Sequence, residues 1–477
     1  MRCVMNKKLP ALLAALLVSG CATPVPQSLT PPLVPKSFTG PIVASASVWP
    51  DAEWWKGFGD SELSGLIVRA QNDNRDLAVA AARVMAAEAQ STVQRSALFP
   101  QLGAAANHLN GGCRGQSCSG FAPQKNFGLT FNASYELDFW GLARDNLVAA
   151  NEELKSARFA QQAVALTVTA NVANQYLTVL ALRRRIAIAN DNIAAINAIL
   201  DVIKLRVKSG STSHLDLAQE TAQVEAVESQ LPGLETAEKQ SLYALAVLLG
   251  RPPEGFDVRA QNMDSVTAPR VGPGLPSELL LRRPDVAQAE ANLAAAHANL
   301  DGARAAFFPQ ISLSGSGGFV SAAIGTLLQG GNFGYGYGIN LVQTIFDGGK
   351  LVGQKNLAQA SQQGFIANYQ SAALNAYADV ETALVQVANS GKSVDHLTRE
   401  VEAAKEAFEI ASLQYRQGAA NLFNVLQAQQ TLFFAEDQLA QTILANRQAA
   451  VHLFEALGGG WQESPDDRTQ FAKITDD

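Results

Sequence analysis

Residues 126–140 alternate between two kinds of side chain. Every odd position from Phe127 to Phe139 is apolar, and the even positions from Gly128 to Asp138 are glycine or polar. Successive side chains of a strand point to opposite faces, so the pattern predicts a strand with one apolar and one polar face. Its length meets the roughly 9–11 residues that a tilted bilayer-crossing strand needs. A strand of a two-sheet sandwich would show the same alternation. A single strand is therefore only weak evidence for a membrane barrel.

A second alternating stretch covers residues 332–347. Phe333, Tyr335, Tyr337, Ile339 and Leu341 share one face, and glycines and Asn340 share the other. Two shorter stretches complete a set of four predicted strands, which lie at 101–109, 126–140, 310–320 and 332–347.

Four strands have consequences for a membrane protein. Backbone polar groups in a bilayer need partners, so strands can cross it only as a closed barrel. The smallest barrels have about eight strands, so a chain with four must oligomerise. Two copies would make a filled barrel, whereas three would make twelve strands and leave a passage. The polar faces suit a wet lumen, which favours the trimer.

The pattern of residues at the N-terminus indicates a lipoprotein signal peptide. Basic residues precede an apolar run at 9–18, which predicts a secretory signal peptide over residues 1–20. Small residues then lead to Cys21, and this ending resembles the bacterial lipobox, in which the cysteine is lipidated; a chance cysteine is the alternative. Ala22 in the next position favours the outer membrane by resemblance to sorted lipoproteins. Residues 21–60 are therefore predicted to be a lipid-anchored N-terminal segment.

The chain also repeats itself. Phe99 and Pro100 recur as Phe308 and Pro309, and Leu249 with its following glycine recurs 208 residues later. Each half reads as a helix, two strands, a long helix, a turn and a return helix. The predicted segments are a first repeat at 61–250, a connector at 251–276, a second repeat at 277–458 and a C-terminal tail at 459–477.

The long helices carry a heptad seam. Residues 142–209 contain neither glycine nor proline, which predicts roughly 65 helical residues spanning about 100 Å. Apolar side chains recur there at alternating steps of three and four, at Ile186, Ala189, Ile193, Ile196, Leu200, Ile203 and Val207. The same spacing appears 208 residues later and ends at Tyr415. Gly210 and Gly418 are expected to end the two helices and start sharp reversals.

Several short stretches carry a resemblance to a known family. They are WWKGFGD at 54–60, LRRPDV at 281–286, FPQ at 308–310, YRQG at 415–418 and VLQAQ at 425–429. They resemble the TolC-like outer-membrane efflux proteins, in particular the lipoprotein branch of RND multidrug efflux (OprM/NodT-type), and they occur in that family's order.

The resemblance implies a membrane α+β fold. Three chains would form a twelve-stranded outer-membrane barrel, continued by a long α-helical coiled-coil periplasmic tunnel. The homotrimer would contact outer-membrane lipid, a periplasmic adaptor and an inner-membrane RND transporter, and would act as the exit channel of a tripartite efflux pump. The alternatives are a duct for type I protein secretion or metal export, and a structural periplasmic coiled-coil protein.

The same resemblance assigns roles at the two turns. Ser209, Gly210 and Ser211 in the first turn are expected to face the adaptor. Gln417, Gly418 and Ala419 are expected to do so in the second.

A periplasmic gate is expected beside the turns. Tyr415 matches a residue that latches the closed tip, and Asp216 is its expected partner. Family members place acidic residues just beyond the second turn, but Asn424 and Gln427 stand there and are neutral. The alternative is that Tyr415 completes the heptad seam and Asp216 caps the return helix.

Composition argues against other functions. The five histidines are scattered without ligand spacing, so the sequence predicts neither a catalytic centre nor a metal site, and no cofactor. Charged residues make up 17% and the net charge is −7, which is unlike a nucleic-acid-binding protein. Cys113 and Cys118 lie in the loop between the first two strands, where an oxidising compartment favours a disulfide over free thiols.

Overall fold

The computed structural model describes residues 34–35, 37–40, 51–111, 124–263, 266–269 and 276–461. Cys21, Cys113 and Cys118 lie outside the described residues. The lipidation and disulfide predictions therefore stay predictions.

Four strands form one antiparallel sheet. They are β1 (Gln101–Gly111), β2 (Gln124–Leu137), β3 (Gln310–Ser321) and β4 (Phe333–Val342), in the order β1-β2-β3-β4. β2 ends three residues before the predicted end, because the Asp138 carboxylate turns to accept the backbone N–H groups of Ala143 and Arg144. β4 ends five residues early, and Asp347 accepts the N–H groups of Gly349 and Leu351 in the same way.

The α-helices of the described residues follow the predicted repeat. In the first half they are α1 (Ser61–Asp73), α2 (Arg75–Ser96), α3 (Leu142–Lys208), α4 (His214–Glu228) and α5 (Leu231–Leu248). In the second half they are α6 (Pro276–Leu279), α7 (Pro284–Ala305), α8 (Lys350–Arg416) and α9 (Leu422–Ala456).

The first half contains two breaks that its periodicity does not predict. Asn74 separates α1 from α2: its side-chain oxygen accepts the N–H groups of Asp76 and Leu77, and its amide donates to the Leu248 carbonyl oxygen. The return helix breaks between Glu228 and Leu231, where a proline enters the first turn of α5. The equivalent α9 runs through 35 residues without interruption.

Both 67-residue helices end as the glycines predict. Gly210 and Gly418 follow α3 and α8 with φ of 73° and 76°, a left-handed conformation that favours glycine. Each reversal leads directly into its return helix, so the two repeats present two hairpin turns.

The largest apolar cluster lies along the middle of α3. By length and composition α3 is long and apolar enough to cross a membrane, the one such helix among the described residues. Side chains such as Val172, Leu177 and Leu180 are instead buried against α1, α5 and α9. The buried part of this apolar stretch therefore forms the core of a helical layer.

The connector is held to this layer by polar contacts. Glu62 accepts the N–H groups of Arg259 and Ala260, and Arg183 donates to the carbonyl oxygens of Val258 and Ala260. Arg183 also pairs with Glu238 at 2.8 Å. Connector and helices thus share several hydrogen bonds, most of them partly buried.

Candidate functional site

The strand register separates an apolar from a polar face. In one row across the sheet, Phe131 pairs with Ala104 and Gly317, and Gly317 pairs with Tyr335. The apolar side chains of this face are Leu102, Ala104, Ala106, Phe127, Leu129, Phe131, Ala133, Tyr135, Leu137, Ile311, Leu313, Phe319, Phe333, Tyr335, Tyr337, Ile339 and Leu341. The register also places His108, Asn110, Lys125 and Ser321 on this face, at the end of the sheet away from the long helices. Much of this face is exposed, and the side chain of Tyr337 reaches 89% exposure. A bilayer covers an exposed apolar band of this kind.

The opposite face is polar or small. In the next row Asn132 pairs with Gly103 and Ser316, and Ser316 pairs with Gly336. The outer edges of β1 and β4 have no strand partner within the described chain. Backbone groups on such edges need partners in a bilayer, so further copies must complete the sheet.

The two hairpin turns lie close together, and Arg206 joins them. This residue is in the last turn of α3, and its Nη2 donates to the carbonyl oxygens of Tyr415 and Arg416 at 3.0 and 2.9 Å. Its guanidinium carbon also lies 4.7 Å from the centre of the Tyr415 ring. Arg206 was missed by the sequence reasoning.

Tyr415 itself is buried at the tip, the end of the long helices that carries the two hairpin turns. It is 4% exposed and packs with Ile203, Leu422 and Val425. Its hydroxyl makes no hydrogen bond with the described residues. Burial raises the pKa of Tyr415, opposed by the positive charge of Arg206.

The predicted hydrogen bond between Tyr415 and Asp216 is absent within the single chain. The Asp216 carboxylate accepts a hydrogen bond from the Thr212 hydroxyl, and its N–H donates to Oγ of Ser213, the N-cap of α4. The structure thus brings Asp216 and Tyr415 to the same end without joining them. Asp216 lies in the first turn of α4, as the capping alternative expects, but Ser213 supplies the cap.

The remaining predicted tip residues are exposed. This holds for Asn424 and Gln427 and for all six turn residues, namely Ser209, Gly210, Ser211, Gln417, Gly418 and Ala419. The neutral pair follows the second turn on α9, and Asn421 caps that helix through the N–H of Asn424. Exposed backbone at both turns leaves a surface open to a partner.

Glu220 is a second residue that the sequence reasoning missed. Its side chain on α4 is 0% exposed, and neither carboxylate oxygen has a hydrogen-bond partner. Burial raises the pKa of Glu220 to about 7. Its position in the apolar stripe Leu217, Glu220, Val224 and Val227, at steps of three and four, is the signal that would have revealed it.

The part of the chain that the structure describes contains no group of three or more His, Cys, Asp or Glu side chains placed to hold a metal ion.

An amphipathic four-stranded sheet with two open edges, continuous with helices of 67 residues, defines one subunit of an outer-membrane channel. A family model described as "Outer membrane efflux protein" matches residues 66–251 and 275–459. The chain belongs to this family.

Curated relatives cover nearly the whole chain. It is 37% identical to the pyoverdine export outer membrane protein OpmQ of Pseudomonas putida, over 94% of this chain and 97% of the relative. It is 29% identical to the cation efflux system protein CusC of Escherichia coli, over 96% of this chain and 99% of the relative. It is also 30% identical to the outer membrane protein OprJ of Pseudomonas aeruginosa, over 95% and 96% of the two chains.

Solved structures share the fold. The open-state MtrE outer membrane channel of Neisseria gonorrhoeae aligns with a TM-score of 0.83 at 28% identity, over 90% of this chain and 96% of that one. The outer-membrane channel OprN aligns with a TM-score of 0.82 at 26% identity, over 90% and 98%. The expected fold class is thereby confirmed: it is that of the trimeric TolC-like channels, in two tandem repeats with four strands per chain.

Proposed function

We propose that this protein is the outer-membrane exit duct of a tripartite efflux pump. The continuity between the amphipathic sheet and the paired long helices carries the proposal, since it joins a membrane-spanning wall to a hairpin tip far from the membrane. A duct of this kind provides a passage and performs no chemistry. The energy comes from the inner-membrane transporter.

The working unit of the proposal is a homotrimer. The open edges of β1 and β4 require copies that close the barrel, and three copies supply twelve strands. The exposed turns at Gly210 and Gly418 are the proposed docking surface for a periplasmic adaptor, which links the duct to an RND transporter.

The proposed cargo is an organic small molecule. Support comes from the 37% identity to a pyoverdine exporter, against 29% for a cation efflux protein. Metal export is the second candidate, supported by that second relative over nearly its full length.

The proposed gate is at the tip. In the proposed closed trimer, the Tyr415 phenol and the Asp216 carboxylate latch neighbouring hairpins, and charge-assisted bonds of this kind contribute about 1.5–3 kcal/mol each. Support for this role comes from the proximity of the two residues, since the negative charge of Asp216 adds to the effect of burial in raising the pKa of Tyr415. An adaptor that binds the open tip more tightly would shift the equilibrium.

The latch is tested with the double variant Tyr415→Phe and Asp216→Ala in planar bilayers. Its conductance should rise above that of the wild type, and cells carrying it should admit vancomycin. Asn424→Ala is the control and should change conductance far less. A double variant that stays trimeric at the wild-type conductance would refute the latch.

The duct itself is tested by genetic complementation. Deleting the gene should raise the accumulation of the exported molecule inside the cell, and the wild-type gene should reverse this only together with an adaptor and a transporter. The purified protein should be a trimer that conducts ions. A stable monomer without conductance would overturn the proposal.

The membrane anchor is proposed to be lipid on Cys21. Cys21→Ser should abolish the incorporation of radiolabelled palmitate while the strands still insert, because they carry the span. Wild-type palmitate incorporation would refute the lipidation site. Complete loss of membrane association would argue against insertion through the strands.

A further inference from the structure

The polar face of the sheet carries one ionisable side chain among the described strand residues. Glu136 shares that face with Asn132 and Ser134 on β2, and Ser312 pairs with it directly on β3. The other described members of the face, such as Thr130, Ser314 and Asn340, are glycine, polar or apolar residues without an ionisable group.

Glu136 lies at the helical end of the sheet. It is the second-last residue of β2, six residues before α3 begins at Leu142. Its side chain is exposed, and within the described part of the chain its carboxylate has neither an ion-pair nor a hydrogen-bond partner. Its charge is therefore presented to solvent where the strand wall meets the helices.

Two other carboxylates lie between the strands and the long helices, and both already have hydrogen-bond partners. Asp138 pairs with Arg144 at 3.2 Å while it accepts N–H groups at the start of α3. Asp347 accepts N–H groups at the start of α8. Helix N-termini carry partial positive charge, which offsets these two carboxylates.

We infer that Glu136 sets the charge preference of the passage and favours cationic over anionic solutes at the neck between barrel and helices. The inference rests on the proposed trimeric duct, in which three copies of Glu136 line one level of the lumen. The copies recur every four strands, about 25 Å along a wall with strands about 4.8 Å apart and tilted by about 40°.

The three copies of Glu136 form a ring of charges in the lumen. The size of this ring determines how the charge preference depends on salt. The corresponding barrel radius is about 12 Å, close to the Debye length of about 10 Å at 0.1 M salt. The three charges therefore act across most of the lumen at that concentration. At 1 M salt the Debye length is about 3 Å and the preference is confined to the wall.

The test measures how fast charged reagents modify a cysteine placed beside Glu136. Ser134→Cys places a thiol on the same face, two residues or about 7 Å from Glu136. In a chain with Cys113→Ser and Cys118→Ser, whole cells are treated with a trimethylammonium or a sulfonate methanethiosulfonate reagent. The modification rates are then compared between Glu136 and Glu136→Gln chains.

The cation-to-anion rate ratio should fall about sevenfold on Glu136→Gln in dilute buffer. A unit charge at this distance in water changes each rate by about 2.7-fold, in opposite directions for the two reagents, and the two changes multiply in the ratio. The difference should shrink towards none at 1 M salt. Adding Ser312→Glu to Glu136→Gln should restore the ratio, because the register places residue 312 directly opposite on the same face.

The outcomes separate this inference from the proposed function. Ala133→Cys on the apolar face is the matched control and should not react, since lipid covers it. Labelling of Ala133→Cys but not Ser134→Cys would overturn the face assignment and with it the duct. Labelling of Ser134→Cys with a ratio unaffected by Glu136→Gln would overturn the role of Glu136 and leave the duct intact.

Discussion

Arg206 in the last turn of α3 lies over the ring of Tyr415 in the last turn of α8, with 4.7 Å between guanidinium carbon and ring centre. The same guanidinium donates to two carbonyl oxygens at the end of α8. One planar side chain thus meets an aromatic face and satisfies backbone acceptors that a helix end leaves free. The two repeats are joined at the tip by this contact.

Arg206→Ala should loosen the tip. The variant loses two charge-assisted hydrogen bonds and the contact with the ring, so the purified trimer should show a higher single-channel conductance. Arg206→Lys should be intermediate, because an ammonium cannot reproduce the planar fork. Lys204→Ala is the control, since Lys204 is exposed and pairs with Asp201 in its own helix. Wild-type conductance in Arg206→Ala would contradict this assignment.

Stability should depend on the titration of Glu220. Its folded pKa of about 7 lies above the ordinary value of 4.5, so the folded state binds the proton more tightly than the unfolded state. The resulting stabilisation is present below pH 4.5 and is lost as the pH rises through 7. Glu220→Gln should therefore be more stable than the wild type above pH 7, by up to about 3 kcal/mol.

Thermal unfolding in detergent between about pH 3.5 and about pH 8 measures this effect, since these limits lie roughly one unit beyond the two pKa values. Glu225→Gln is the matched control, because Glu225 is exposed on the same helix. Parallel pH profiles of the wild type and Glu220→Gln would show that Glu220 does not titrate in this range.

Glu381 on α8 should hold the N-terminal segment in place. Its carboxylate accepts the N–H groups of Thr39 and Gly40 at 2.6 and 2.7 Å. Glu381→Ala should speed amide hydrogen exchange at both residues, since each loses its acceptor. Glu402→Ala, at an exposed position of the same helix, should leave exchange unchanged. Unaltered exchange in Glu381→Ala would mean that other contacts hold the segment.

Gly40 should resist substitution for a steric reason. A Cβ atom at this position would lie 2.9 Å from Cβ of Leu384. Gly40→Ala should therefore displace the segment from α8 and raise exchange at Thr39 while the carboxylate remains. Wild-type exchange at Thr39 would show that α8 can move enough to accommodate the added Cβ atom.

Adjacent positions on β2 should differ sharply in tolerance of a charge. Phe131→Lys puts the charge on the apolar face, where it costs about 2–4 kcal/mol near the bilayer centre. Asn132→Lys introduces the same side chain one residue later on the polar face. Membrane fractionation and trimer formation should fail or weaken only for Phe131→Lys. Equal assembly of the two variants would contradict the assignment of the faces.

Local patterns in the sequence determined the elements and much of their order. Alternation predicted β2 and β4, and the absence of glycine and proline predicted a helix that ends within one residue of Lys208. Gly210 and Gly418 marked both reversals. Such features depend on backbone geometry within a few residues, so the sequence alone reveals them.

Tertiary structure decided the contacts at the tip. Arg206 and Tyr415 are 209 positions apart, and their contact depends on the rotation of α3 against α8, which no local pattern specifies. Packing of α4 against α3 accompanies the burial of Glu220, and the arrangement of the tip leaves the Tyr415 hydroxyl without Asp216 as a partner within the chain. Side-chain periodicity selects which stripe of a helix is apolar, but the packing of whole helices selects which polar groups meet.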